Sequence, residues 1–212
     1  MNIIDKTNTT NVEKLRENIP KSIIIHSTKR YSTFEDLYNL HVGKNQWYGV
    51  GYHIFIDASN KVYLTRPLNK EGAHAWGFNL DSIGFCIYNG NQGSLKHRLE
   101  VGTDVLSYLR SELGNLPVMS HTLAQIEYIN KLLGARGLDK IQESENFMHP
   151  KKFQSLENMF HTSAGNLQTE GNEKLKPALK QFKNCPGPRF YNFIKNSNGI
   201  LIRPEGYSEN EI

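Results

Sequence analysis

Apolar residues fall in short runs near the start of the chain and in spaced rows further along, and the two patterns predict different elements. The run "KSIIIHST" reads as a short buried strand whose three isoleucines end at His26. In "RYSTFEDLYNLH", Ser32 and Glu35 have capping-box spacing, so a short helix is predicted to begin there. "YGVGYHIFID" and "KVYLTRP" flank the polar turn "ASN" and predict a β-hairpin, because β-branched and aromatic residues border turn residues. "SIGFCIYNG" is apolar at successive positions, as a central strand buried on both faces would be. Leu95, Leu99, Val105, Leu106, Leu109 and Leu113 recur at helical spacing and predict an amphipathic helix over 95–113, ending near Gly114. "LPVMSH" follows as a last short strand ending at His121.

Beyond His121 the pattern changes. "TLAQIEYINKLLGARG" predicts a further helix, with Thr122 as its cap and Leu123, Ile126, Ile129, Leu132 and Leu133 on one face. From about 134 to 181 the chain is polar and rich in Lys, Glu and Asn, with helices expected near 151–160 and 172–182. The fold class expected is α/β (α+β), a single mixed central β-sheet flanked by helices. One domain over 1–212 is expected, with a core of about 20–121 and 182–203 and a helical insertion of about 122–181. The tail "PEGYSENEI" is expected to fray.

The length of 212 residues suits one good core and is short for two full domains. No apolar run approaches the roughly 20 residues of a membrane span. The start, "MNIIDKTNTTNVEKLREN", has neither a basic n-region nor an apolar h-region, so no signal peptide is expected and the chain is read as cytoplasmic on synthesis. Two cysteines without an export signal argue against a disulfide framework. The net charge of +4 is spread without a Lys/Arg stripe, which argues against nucleic acid as a partner.

His26 and His121 each close an apolar strand, where a rigid backbone can present a side chain to a neighbouring loop. Cys185 sits in "KNCPGPRF", whose Pro-Gly-Pro forces an irregular backbone. It could be a metal ligand, a nucleophile, half of a disulfide or an idle thiol. Two imidazoles and a thiolate form a set that zinc favours, and three protein ligands leave a fourth position for water. Strand alternation in the hairpin places Tyr52 and Ile54 on one face and His53 on the other, so Tyr52 and His53 are not both expected at such a site. Cys86, mid-strand, is expected to be buried filler. Trp47 and Trp76 flank the site segments and suit stacking on a sugar or peptide as well as they suit packing. His41, His53 and His97 are expected to be structural or exposed.

In this order, "IIIHST", "VGYHIFID", "GAHAWGFNLDSIGFCI" and "KNCPGPRF" resemble the zinc N-acetylmuramoyl-L-alanine amidases. This family of amidase type 2 and peptidoglycan recognition protein fold includes amidase-type lysozymes of bacteriophages and AmpD-like enzymes. The resemblance covers about 20–121 and 182–195. It implies one Zn2+ per chain held by His26, His121 and Cys185, with His149 as the alternative to His121 and His161 a weaker one. It implies catalytic roles for Tyr52 and Lys183, and a substrate groove bordered by His74, Trp76 and Asn79. In the family the cysteine follows the second histidine by roughly ten residues. Here the gap is 64, which is why 122–181 reads as an insertion in the ligand loop. The implied function is hydrolysis of the amide between N-acetylmuramic acid and L-alanine in peptidoglycan, by a phage endolysin acting on the host wall after release. The alternatives are a non-catalytic peptidoglycan or muropeptide-binding module and an AmpD-like recycling amidase. Cys185 preceded by Lys183 matches the phage branch, whereas the AmpD branch has an aspartate as third ligand. A monomer is expected, and the insertion is a candidate docking segment for a protein partner.

Overall fold

A computed structural model of the protein describes residues 2–135, 162, 173–180 and 185–197. Six strands form one mixed sheet: β1 (Ile3–Asp5), β2 (Ser22–Thr28), β3 (Ile54–Ile56), β4 (Val62–Leu64), β5 (Ser82–Tyr88) and β6 (Val118–Ser120). Their spatial order is β1-β4-β3-β5-β2-β6, and every neighbouring pair is parallel except the hairpin β3–β4. The mixed α/β sheet predicted from the sequence is therefore the observed architecture. β1 falls where the sequence predicts no strand, since three residues are too few to display an alternation.

β2 and β5 lie inside the sheet and are covered on both faces, which is why their sequences are nearly continuous apolar runs. Side-chain parity then sorts them. Ile23, Ile25, Ile83, Phe85 and Ile87 face α2 (Leu95–Leu113), whose Leu95, Val105, Leu106 and Leu109 complete that core. Each isoleucine or leucine removed from water there contributes about 1.5–3 kcal/mol. Ile24 and Cys86 face the opposite side, and His26, two residues after Ile24, shares that side. There α1 (Phe34–Tyr38) packs Phe34 and Leu37 with Phe55, Tyr63 and Cys86. α3 (His121–Gly134) packs Ala124 with Ile24 and Ala75.

α2 occupies the predicted span and stops at Gly114, whose φ of +83° lies in a region that glycine enters without a Cβ penalty. α1 is capped one residue later than the sequence predicts. Thr33 Oγ1 accepts from the Asp36 N–H, and Asp36 Oδ2 accepts from the Thr33 N–H, the Ser32 N–H and the Ser32 hydroxyl. Ser32 with Glu35 and Thr33 with Asp36 both carry the motif. Asp36 prevails because one shorter carboxylate gathers three donors at once. Beyond α1 a π-helical turn, Asn39–Lys44, carries His41 into the interior.

α4 (Leu175–Lys180) falls inside the helix expected near 172–182 and packs Leu175, Ala178 and Leu179 against Ile126 and Ile129 of α3. α5 (Tyr191–Ser197) has no counterpart in the sequence reading, and its Phe193 and Ile194 enter the core beneath α2. The helix expected near 151–160 lies outside the described residues.

Candidate metal centre and cleft

Strand register builds the centre. β2 and β6 run parallel with Ile25 opposite Ser120, so the residue that follows each is a histidine: His26, still in β2, and His121, the first residue of α3. Their ring centroids are 4.4 Å apart. β6 gives way to α3 within one residue, because the Ser120 hydroxyl accepts from the Leu123 N–H and acts as the N-cap. Thr122, the cap expected from the sequence, is instead the second residue of the helix, since a serine one turn before Leu123 was already in capping position.

Thr122 has another task. Its N–H donates to the Cys185 carbonyl at 3.0 Å, and the Cys185 N–H donates to its Oγ1 at 2.9 Å. The Ser27 hydroxyl donates to the Pro186 carbonyl at 2.8 Å, so the ends of β2 and β6 both hold the Cys-Pro turn. The thiol Sγ lies 3.9 Å from His26 Nδ1, and one ligand atom from each of His26, His121 and Cys185 lies within 4.8 Å of the others. All three residues are buried. Tetrahedral zinc at ordinary bond lengths needs N and S ligands about 3.3–3.8 Å apart, so the cluster fits zinc with small side-chain adjustments. His149 and His161, the other candidate ligands, and Lys183, a candidate catalytic group, lie outside the described residues.

Around this cluster, His74 Nδ1 lies 3.0 Å from His26 Nε2, and the Tyr52 ring centroid lies 5.0 Å from that of His26. Tyr52 packs with Phe55 and Cys86, on the face opposite Ile54. The alternation that pairs Tyr52 with Ile54 fails because β3 begins only at Ile54 and the chain bends through 48–53 before it. His53 is turned away from His26. Its Nδ1 accepts from the Gly84 N–H and its Nε2 donates to the Lys70 carbonyl, which fixes it as a structural residue. Burial, followed by the Cys86 and Cys185 thiols, holds the Tyr52 phenol well above its ordinary pKa, so it is a hydrogen-bond donor at neutral pH. Burial likewise holds His74 well below the usual imidazole range, with His53 and His121 adding to the effect. Cys86 is fully buried in β5. His97 is exposed and paired with Glu100.

The cluster opens into a cleft of about 960 Å³. Trp76 lines it and is 50% exposed; Trp47, also lining, is stacked on His41 at 4.6 Å. Asn79 lines the cleft too, while its Oδ1 accepts from the N–H groups of His74 and Ala75 and so shapes the loop that carries His74 and Trp76. Among the lining residues that the sequence reading does not assign to a site are His41, Gln125 and Tyr128. The last two follow His121 by four and seven residues, a helical spacing that could have found them. His41, carried in by the π-helical turn, has no such signal; burial pushes its pKa down to about 4. Lys180 of α4 is the formally charged side chain among the described lining residues.

The sequence model of a family described as N-acetylmuramoyl-L-alanine amidase matches residues 16–142. No curated protein matches the sequence significantly. Among solved structures, N-acetylmuramoyl-L-alanine amidase LysC from Clostridium intestinale URNW is similar at 23% identity and a TM-score of 0.51, covering 58% of this chain and 85% of that one. The Ph2119 endolysin from Thermus scotoductus MAT2119 bacteriophage Ph2119 is similar at 19% identity and a TM-score of 0.51, covering 58% and 87%. Drosophila peptidoglycan recognition protein SD gives 19% and 0.50, covering 57% and 83%. At these identities the structural likeness bears on the fold. Among the described residues no helix is long and apolar enough to cross a membrane. With a family match over more than half its length and the mixed sheet those structures share, this chain belongs to the N-acetylmuramoyl-L-alanine amidase family.

Proposed function

We propose that the protein is a zinc-dependent amidase that hydrolyses the bond between the lactyl group of N-acetylmuramic acid and L-alanine in peptidoglycan or its muropeptides. The observation that carries this reading is the buried cluster of His26, His121 and Cys185, whose two histidines line a cleft large enough for a sugar and a peptide stem. These residues would hold the ion, with the cysteine as thiolate and both imidazoles neutral. Zinc in such a site supplies Lewis acidity and makes water nucleophilic near neutral pH.

The remaining work falls to side chains of this chain. The protonated Tyr52 phenol is the donor that would stabilise the oxyanion formed from the amide carbonyl. Lys183, two residues before Cys185, is the candidate second cation there. Trp76 at the rim offers an apolar face for a sugar ring or stem peptide. Asn79 sets the loop that presents it.

The complete ligand set favours an enzyme over a binding module, which would need no thiolate beside two histidines. The Cys185 ligand, rather than an aspartate, favours the phage-lysozyme branch and thus an endolysin acting on a host wall. We read the chain as one domain. α3 packs on β2 and β6, so the added segment would follow that helix instead of starting at 122. The test is digestion of purified peptidoglycan and of a soluble muropeptide, with products read by mass spectrometry. Release of peptides beginning with a free L-alanine amine, and of sugar with an intact lactyl carboxylate, is expected. Binding of peptidoglycan without such products would make the chain a recognition module.

A further inference from the structure

We propose that His74 is a positioning residue for the metal centre: it fixes the tautomer and orientation of His26 so that Nδ1, facing Cys185, is the ligand nitrogen. This rests on the zinc reading above.

The assignment follows from a chain of hydrogen bonds that starts at a group able only to accept. The Phe78 carbonyl can only accept, so the Ser82 hydroxyl, 2.6 Å away, donates to it. Ser82 Oγ is then left to accept from His74 Nε2–H, through a long contact of 3.4 Å. His74 Nδ1 therefore carries a lone pair, and at 3.0 Å it accepts from His26 Nε2–H. His26 Nδ1 is left unprotonated on the side where Cys185 Sγ lies, 3.9 Å away. A neutral histidine ligand needs this state.

The fold builds a slot for the His74 ring. A Cβ on Gly72 would stand 2.3 Å from His74 Cδ2, and a Cβ on Gly84 would stand 2.5 Å from its Cδ2 and Cγ. Side chains at either position would collide with the imidazole, so both glycines serve space here. Asn79 Oδ1 holds the His74 backbone N–H at 2.8 Å. The neighbouring His53, whose ring lies edge-on at 5.7 Å, has both nitrogens occupied by backbone groups and does not compete for His74. His74, a loop residue that lines the cleft, is thus held beside His26 by Gly72, by Gly84 of β5 and by the loop that Asn79 orders.

Three measurements test this, none of which needs turnover. Long-range 1H–15N correlation spectra of the zinc-loaded wild type should show His26 protonated on Nε2. Chelator competition should show zinc affinity falling 10- to 100-fold in His74→Leu, with a loss in Gly84→Ala as its Cβ displaces the ring. His74→Asn, whose amide oxygen lies near the place of Nδ1, should restore affinity to within a few-fold of wild type. Cobalt-substituted samples should show altered ligand-field bands in His74→Leu and near-normal bands in His74→Asn. A His26 protonated on Nδ1 overturns the inference even if the variants fold poorly. So does wild-type zinc affinity in His74→Leu, or a His74→Asn no better than His74→Leu. Wild type that binds no zinc overturns the zinc reading as well, whereas zinc binding indifferent to His74 overturns this inference alone.

Discussion

Thr122 and Cys185, 63 residues apart, are joined by three hydrogen bonds: the threonine N–H and hydroxyl both donate to the cysteine carbonyl, and the cysteine N–H donates to the threonine hydroxyl oxygen. The bracket ties the second histidine's helix to the thiol, so the long separation of His121 from Cys185 is closed in space by the residue next to His121. Thr122→Val keeps the shape and removes the hydroxyl, which strands a buried N–H. A loss of about 1–3 kcal/mol in unfolding free energy is expected by urea titration, with weaker zinc binding by chelator competition.

Tyr52→Phe should leave zinc content at the wild-type level, because Tyr52 is not in the ligand cluster. Removing one oxyanion donor should lower kcat roughly 100- to 1000-fold with little change in KM. Muropeptide kinetics on metal-matched samples check this, and an unchanged kcat would remove Tyr52 from the chemistry.

Trp76→Ala tests the rim. The residue is half exposed and absent from the buried core, so melting temperature should move little. Loss of aromatic stacking on substrate, about 0.5–1.5 kcal/mol, should raise KM about 2- to 12-fold.

Acid should destabilise the metal-free protein through buried histidines. Burial is the main cause that pushes His41 and His53 down to about 4, from about 6.5 in the unfolded chain. Between those values the unfolded state binds protons that the folded state does not. Stability therefore rises with pH across that window, and is lost as pH falls from about 6.5 towards 4. Each histidine contributes on the order of 3 kcal/mol. Urea titrations in chelator at pH 7, 5.5 and 4.5 check the slope, which should shrink in His53→Asn.

What the sequence discloses is what regular periodicity carries. The α2 span is legible in its leucines, and the buried strands β2 and β5 in their unbroken apolar runs. His26 and His121 are legible as histidines that follow apolar runs, although β2 continues past His26 to Thr28 and His121 opens α3. Their meeting depends on the register of Ile25 with Ser120, which no local pattern encodes. Where two residues compete for one task, spacing alone does not choose. Ser120 takes the cap expected of Thr122, and Thr33 with Asp36 takes the box expected of Ser32 with Glu35. The face of Tyr52 does not follow from alternation, because the chain bends at 51–53 before β3 begins at Ile54. His41 enters the cleft on a π-helical turn, and α5 is too short for a helical period to show. The role of His74 behind His26 depends on two glycines from different segments, a relation visible only in three dimensions.

The most direct test is zinc stoichiometry together with muropeptide cleavage, measured in the same samples of wild type, His26→Ala, His121→Ala, His149→Ala and Cys185→Ser. One zinc per wild-type chain is expected, with zinc and cleavage lost together in the His26, His121 and Cys185 variants and kept in His149→Ala. Zinc and cleavage that survive in His121→Ala but vanish in His149→Ala would contradict the ligand set, and a wild type with neither would contradict the amidase itself.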